Sequence, residues 1–212
     1  MRNREIATTA LIILVAVVLT GLLATASVGA NQEASANAAG GPSKAVTAAR
    51  VERGGYLVWA MGCNDCHTPW KMGQKGPEMD FSRRLSGHPA DLKMPAPPAV
   101  PAGPWGMVAA STMTAWAGPW GVSFTANLTP DKETGLGDWT EEQFIATMKT
   151  GRHQGKGRPL LPPMPYFNLR ELNDEDIKSV FAYLQSLPPI KNRVPAPIDP
   201  PEATGKLEGE RK

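Results

Sequence analysis

The sequence predicts one all-α domain of modest size with an apolar segment ahead of it and extended chain behind it. Three observations carry that prediction. Segments with helical spacing each bring their own start or stop signals. A tight cluster, Cys63, Cys66 and His67, follows the first of them directly. A methionine framed by prolines, "LLPPMPYFNL", precedes the last. The chain has 212 residues, enough to bury a core in one ordinary domain with appendages. Gly and Pro at 21 residues each predict a large share of loop and linker around those helices.

The elements follow in chain order. Residues 1–26 hold "MRNRE" and then "IATTALIILVAVVLTGLLATA", about twenty residues without a charge, behind Arg2 and Arg4. That length suits a membrane-spanning helix whose basic end stays in the cytoplasm. The run Leu11 to Leu23 followed by "ATA" at Ala24 to Ala26 suits a cleaved signal peptide instead. Both readings export the rest of the chain. Residues 27–45 are small and polar and read as a flexible tether, which favours the anchor.

A first helix is expected from about Lys44 to Met61, with Gly54 and Gly55 offering a place for another helix to cross closely. A second opens at "DWTEEQFIATMKTG": Thr140 and Gln143 form a capping box and Gly151 supplies the stop. The third is "LNDEDIKSVFAYLQSLPP", where Asn173 caps, acidic residues fill the first turn, and Ile177, Val180, Phe181 and Leu184 fall on one face. Pro188 lies just past its end. The Pro- and Gly-rich insert 94–121, with Trp105, Trp116 and Trp120, reads as a long surface loop pinned by tryptophans, or as a contact patch for a partner. Residues 191–212 read as an extended or disordered tail.

Cys63, Cys66 and His67 admit four chemistries. A structural zinc site normally needs four ligands arriving as two pairs, and no second cysteine pair exists. A redox dithiol needs a βαβ context that the flanking sequence lacks. A disulfide would close a tiny loop and leave His67 without a role. Covalent haem attachment uses all three: C-x-x-C places two sulfurs on one helical turn for the two vinyl groups of a porphyrin edge, and the next residue, His67, lies under the iron. A hydrogen bond from the other ring nitrogen should orient that imidazole, with the Pro69 carbonyl as the expected acceptor.

A sixth ligand is then needed. Met164 is the choice, because Pro162, Pro163 and Pro165 hold its loop extended and keep it out of a helix. Met61 is too close to Cys63, Met148 belongs to core packing, and Met72, Met79, Met94, Met107 and Met113 lie in loose sequence. His88 and His153 read as solvated loop residues. A net charge of +2 gives no nucleic-acid footprint.

The order helix, C-x-x-C-H, loop, helix, Pro-framed Met, terminal helix resembles the class I cytochrome c fold. The segments "RGGYLVWAMGCNDCHTP", "TANLTPDKETGLGDWTEEQF" and "PPMPYFNLRELNDEDIKSVFAYLQSLPP" resemble the haem domains in cytochrome subunits of bacterial alcohol and aldehyde dehydrogenases, over roughly residues 50 to 190. The resemblance implies one haem c on Cys63 and Cys66, axial ligation by His67 and Met164, and electron transfer without catalysis. It also places Asn127 and Trp139 in the part that frames the haem. Those subunits carry several such motifs and this chain carries one, which suits a shuttle or docking arm on the periplasmic side of the inner membrane. Redox partners of that kind are a membrane dehydrogenase, a quinol-oxidising complex or a terminal oxidase. The alternatives are an electron-entry or exit subunit of a periplasmic dehydrogenase complex and, ranked behind it, a haem peroxidase, which needs an open iron position.

Overall fold

Helix α1, Lys44–Ala60, turns its buried residues Leu57 and Val58 inward and leaves Tyr56 and Trp59 exposed on the far side. The computed structural model describes residues 44–97, 104 and 106–200. The apolar segment 1–26, nearly all of the tether, Trp105 and the tail beyond residue 200 lie outside the described residues. No helix among the described residues is long and apolar enough to cross a membrane.

Gly62 at φ 69° ends α1 and turns the chain at once into α2, Cys63–His67. Helix α3, Glu141–Thr150, begins at the expected capping box. The Thr140 hydroxyl accepts from Gln143 N at 3.2 Å, while the Gln143 side chain accepts from Thr140 N at 3.0 Å. Gly151 ends α3 in the left-handed region at φ 67°. A short α4, Tyr166–Leu169, follows the Met164 loop. Helix α5, Asp174–Gln185, is capped by Asn173, whose side-chain oxygen accepts from Asp176 N at 2.8 Å. Its buried face carries Ile177, Val180, Phe181 and Leu184.

These faces make one core of Leu57, Val58, Leu85, Leu136, Phe144 and the four α5 residues, with Met61, Met148 and Trp139 packed against it. The Phe144 and Phe181 rings lie 5.1 Å apart between α3 and α5. Helix α5 meets α1 at Gly54, where any Cβ would overlap the Ser179 carbonyl. The close crossing expected at the Gly54–Gly55 pair is thus an α1–α5 crossing. Arg50 to Glu175 and Arg53 to Asp176, both at 2.8 Å, flank it. Pairs this exposed add about 1 kcal/mol at most.

The domain is not plainly all-α. Five helices among the described residues are joined by two small antiparallel sheets. Strands β1, Trp70–Gly73, and β2, Gly76–Met79, form a hairpin, so Met72 and Met79 lie in strands rather than in loose sequence. Strands β3, Val108–Ala109, β4, Ala115–Gly118, and β5, Gly121–Phe124, form the second sheet in that order. A quarter of the insert predicted as loop, residues 108–109, 115–118 and 121, is therefore sheet. Trp116 is buried, which removes it from an exposed contact patch, and Trp120 is half-buried. "AWAG" and "GVSF" are too short to show a two-residue period, and the Pro119–Trp120 turn disguised them as loop.

The described part of the tail is the extended chain that was one of its two expected forms. Residues 191–200 are an ordered strap, held by backbone pairing of Ile198 with Val122 at 2.8 and 2.9 Å. Asn192 is its rivet. Its amide nitrogen donates to the carbonyls of Ser86 (2.7 Å) and His88 (2.9 Å), and its oxygen accepts from Ala90 N at 2.9 Å. Extended chain with few apolar residues is thus ordered by polar pairing, a source of order that hydropathy does not register. Asn192→Ala strands two carbonyls and one N–H at a site only 4% exposed. The expected cost is about 3 kcal/mol by urea denaturation. A loss under about 0.5 kcal/mol would mean the strap contributes little.

Candidate cofactor site

The site begins where α2 presents its side chains. Cys63 and Cys66 are unbridged and half-buried. Burial is the main reason the Cys63 thiol is pushed up to about 11, and burial followed by the nearby Asp65 carboxylate raises Cys66. Thiols held protonated in this way are the reverse of an activated dithiol, whose reactive cysteine needs a lowered pKa. No group of three or more His, Cys, Asp and Glu among the described residues could hold a metal ion. The zinc reading therefore finds no partners there.

His67 is 8% exposed, and its Nδ1 lies 2.8 Å from the Ala126 carbonyl oxygen. Burial holds the imidazole below its ordinary pKa, against the opposing pull of that carbonyl. The neutral ring therefore donates Nδ1–H to Ala126 and keeps the Nε2 lone pair, the state a metal-binding histidine needs. The expected acceptor, Pro69, is otherwise engaged: its carbonyl accepts from Asp80 N at 2.7 Å. Gly87 lets Ala126 come this close. It sits at φ 77°, donates to the His67 carbonyl at 2.8 Å, and a Cβ there would run into Thr125 and Ala126.

Around α2, buried polar groups fix the motif. The Asn64 side-chain oxygen accepts from Thr68 Oγ1 (3.2 Å) and from Arg84 Nε (3.1 Å), and Thr68 Oγ1 accepts from Leu85 N at 3.0 Å. Asn127 frames the neighbouring loop, accepting from Thr129 and donating to the Ile190 carbonyl at 2.8 Å. His88 is wholly buried, with Nδ1 2.9 Å from Thr114 Oγ1, so it is not the solvated loop residue its Gly-His-Pro setting suggested. His153 is exposed as expected, with its ring edge-on to Trp139 at 4.9 Å.

Met164 lines an apolar cleft of about 450 Å³, together with Leu160, Pro162, Tyr166, Trp120 and Met107. Its loop is closed by short local bonds, Met164 N to the Leu161 carbonyl at 3.2 Å and Tyr166 N to the Met164 carbonyl at 3.0 Å. Ser123 Oγ on β5 donates to the Pro162 carbonyl at 2.6 Å and ties that loop to the second sheet. Met107 is the residue sequence reasoning passed over; it shares the cleft but is 47% exposed.

Two thiols available for thioether bonds and a neutral imidazole with Nε2 uncommitted fit a covalently bound haem, while the cleft beside Met164 is lined by none of these three residues. This is the arrangement of a c-type electron-transfer domain. The chain belongs to the cytochrome c family, whose model matches residues 51–188. Membership brings one covalently attached haem c and electron transfer through it, with Cys63, Cys66 and His67 as the matching C-x-x-C-H run.

The chain is 29% identical over 154 residues to the fructose dehydrogenase cytochrome subunit of Gluconobacter japonicus, covering 70% of this chain and 24% of that protein. It is 39% identical over 60 residues to the gluconate 2-dehydrogenase cytochrome c subunit of Pantoea cypripedii, covering 28% of this chain and 13% of that protein. A nicotinate dehydrogenase subunit from Pseudomonas putida is 40% identical over 73 residues, or 34% of this chain and 6% of that protein. The chain thus spans less than a quarter of the length of each of these relatives.

Proposed function

We propose that the chain is a carrier of single electrons rather than an enzyme, with His67 Nε2 and Met164 Sδ as the axial ligands of its haem. When bound, haem c supplies a one-electron ferric–ferrous couple. The observation that carries the reading is the Nδ1–Ala126 hydrogen bond, which leaves the opposite ring nitrogen of His67 uncommitted at the end of C-x-x-C-H. His67 then acts as an oriented imidazole donor. Met164 offers a soft neutral sulfur from a loop closed by its own backbone bonds, which favours the reduced state relative to a second imidazole. Leu160, Pro162 and Tyr166 give the cleft beside Met164 an apolar lining. Filling both axial positions from the protein leaves no place for a peroxide, so no bond-breaking step is assigned.

The holoprotein should titrate as a single one-electron wave with no peroxide turnover. Rapid oxidation of a donor by peroxide would favour the enzyme reading instead.

In this reading the N-terminal segment 1–26 holds the domain to the periplasmic face of the inner membrane, and residues 27–45 give it reach. Similarity to cytochrome subunits of fructose and gluconate dehydrogenases supports a membrane dehydrogenase as donor. A quinol-oxidising complex or terminal oxidase stands on the other side of the transfer. Recovery from detergent-solubilised membranes with residue 1 or 2 at the N-terminus is the expected outcome. A soluble protein starting near Ser27 would mean a cleaved signal.

A further inference from the structure

Gly87 and His88 form a two-pronged clamp on the histidine site. The Gly87 N–H donates to the His67 carbonyl at 2.8 Å, and the next N–H along, that of His88, donates to the Thr125 carbonyl at 3.0 Å. Ala126, whose carbonyl takes the His67 Nδ1–H, directly follows Thr125. Consecutive residues therefore bridge the chain that carries the imidazole and the chain that carries its acceptor.

The His88 side chain closes a triangle behind that clamp. Thr125 is held at its other backbone group as well, its N–H donating to the Thr114 carbonyl at 2.9 Å. The Thr114 hydroxyl in turn lies 2.9 Å from His88 Nδ1 and 2.8 Å from Thr112 Oγ1. Thr125 is thus pinned by His88 on one side and Thr114 on the other, and the bond between those two side chains fixes how far apart the pins stand. The His88 ring rests against Phe124, with centroids 4.8 Å apart, and Asn192 donates to the His88 carbonyl at 2.9 Å. His88 is wholly buried, yet its Nε2 has no hydrogen-bond partner among the described residues. A buried polar edge left unpaired carries a cost that an apolar side chain of similar size avoids. Packing alone therefore does not account for a histidine here, whereas the bond at Nδ1 does.

We propose that His88 is a positioning residue for the haem ligand His67: through Thr114 and Thr125 it sets where the Ala126 carbonyl stands, and so how strongly that carbonyl holds the His67 Nδ1–H. The assignment rests on His67 as an axial ligand and does not depend on which residue fills the sixth position. A strong bond at Nδ1 makes the imidazole a more basic ligand. That stabilises ferric iron and lowers the potential of the haem.

The test uses isotope-labelled holoprotein carrying His88→Leu, which removes the ring nitrogen, or Thr114→Val, which removes the hydroxyl it meets. Haem content by pyridine haemochrome should be unchanged in both, and the midpoint potential should rise. In the reduced protein the His67 Nδ1–H, followed by NMR, should exchange with deuterated water on the order of tenfold faster, as the loss of one buried hydrogen bond implies. The amides of α5 should keep their wild-type rates. His88→Asn, whose amide reaches the place of Nδ1, and Thr114→Ser, which keeps the hydroxyl, should hold both quantities near wild type. The double variant with Leu and Val should shift no further than either single one, because both substitutions break the same bond. Since His88→Leu could fail to fold, Thr114→Val carries the test from the other side of the pair. Haem-loaded variants with unaltered potential and Nδ1–H exchange, or with α5 amides quickened equally, would overturn the role of His88 and leave the haem reading standing. A wild type without haem would instead overturn the haem reading itself.

Discussion

Met164→Ala should leave the haem attached and open one side of the iron. The covalent bonds and His67 lie on α2, which the substitution does not touch. The only group withdrawn is the sulfur at the wall of the cleft. Three changes are expected together. The weak red absorption of the ferric methionine–iron bond disappears, cyanide binds much faster, and the midpoint potential falls by on the order of 0.1 V, since axial ligands set haem potentials over a far wider range. Met107→Ala is the necessary control, because that residue lines the same cleft. Met107 is 47% exposed and lies ahead of β3, with no loop closure like that around Met164 among the described residues. Its removal should leave the red band in place. The reverse result would transfer the ligand role to Met107.

Gly54→Ala should destabilise the helical frame although it adds a single methyl group. Alanine is the better helix former by about 1 kcal/mol, so an open site would gain. Here the new methyl would overlap the Ser179 carbonyl oxygen and come within 2.7 Å of Tyr183 Cβ. The first obstacle is backbone of α5 and cannot rotate aside. Separating α1 from α5 would loosen Leu57 and Val58 from Ile177 and Val180. Overpacking against backbone, up to about 3 kcal/mol, outweighs the propensity gain, and a net loss of about 2 kcal/mol is expected by urea denaturation, a sizeable part of the roughly 5–15 kcal/mol that a domain commonly has. Gly106→Ala, where a Cβ meets nothing within 4 Å among the described residues, should stay within about 0.5 kcal/mol of the parent. Equal effects at the two positions would mean that the α1–α5 crossing is not the tight contact described.

The parts of this molecule that declared themselves in sequence are those built from local side-chain chemistry. The Thr140–Gln143 box, the Gly151 stop and the Asn173 cap act within a few residues of themselves, so α3 and α5 begin and end where their residue types require. Gly54 and Gly55 announced a close crossing, though not the helix that makes it. What stayed hidden depends on backbone groups and distant partners. The acceptor for His67 is the carbonyl of an alanine 59 positions away, and a carbonyl has no residue type to betray it. Gly87 looked like an ordinary loop glycine, yet its lack of a Cβ permits that bond. Asn192, in a segment with little to bury, orders the strap by reaching Ser86 and His88 more than a hundred positions back. Trp116 and Trp120 drew notice for their residue type, but their burial depends on a sheet whose strands were too short to detect.

The most direct test of the covalent haem is an intact mass. Each cysteine S–H adds across one vinyl group, so the polypeptide should gain the full mass of one haem with no atom lost. Protein expressed with a working cytochrome maturation system should show that single addition, lost from the mass when Cys63 and Cys66 are both replaced by serine. A mature wild-type polypeptide of bare mass under the same conditions would contradict it.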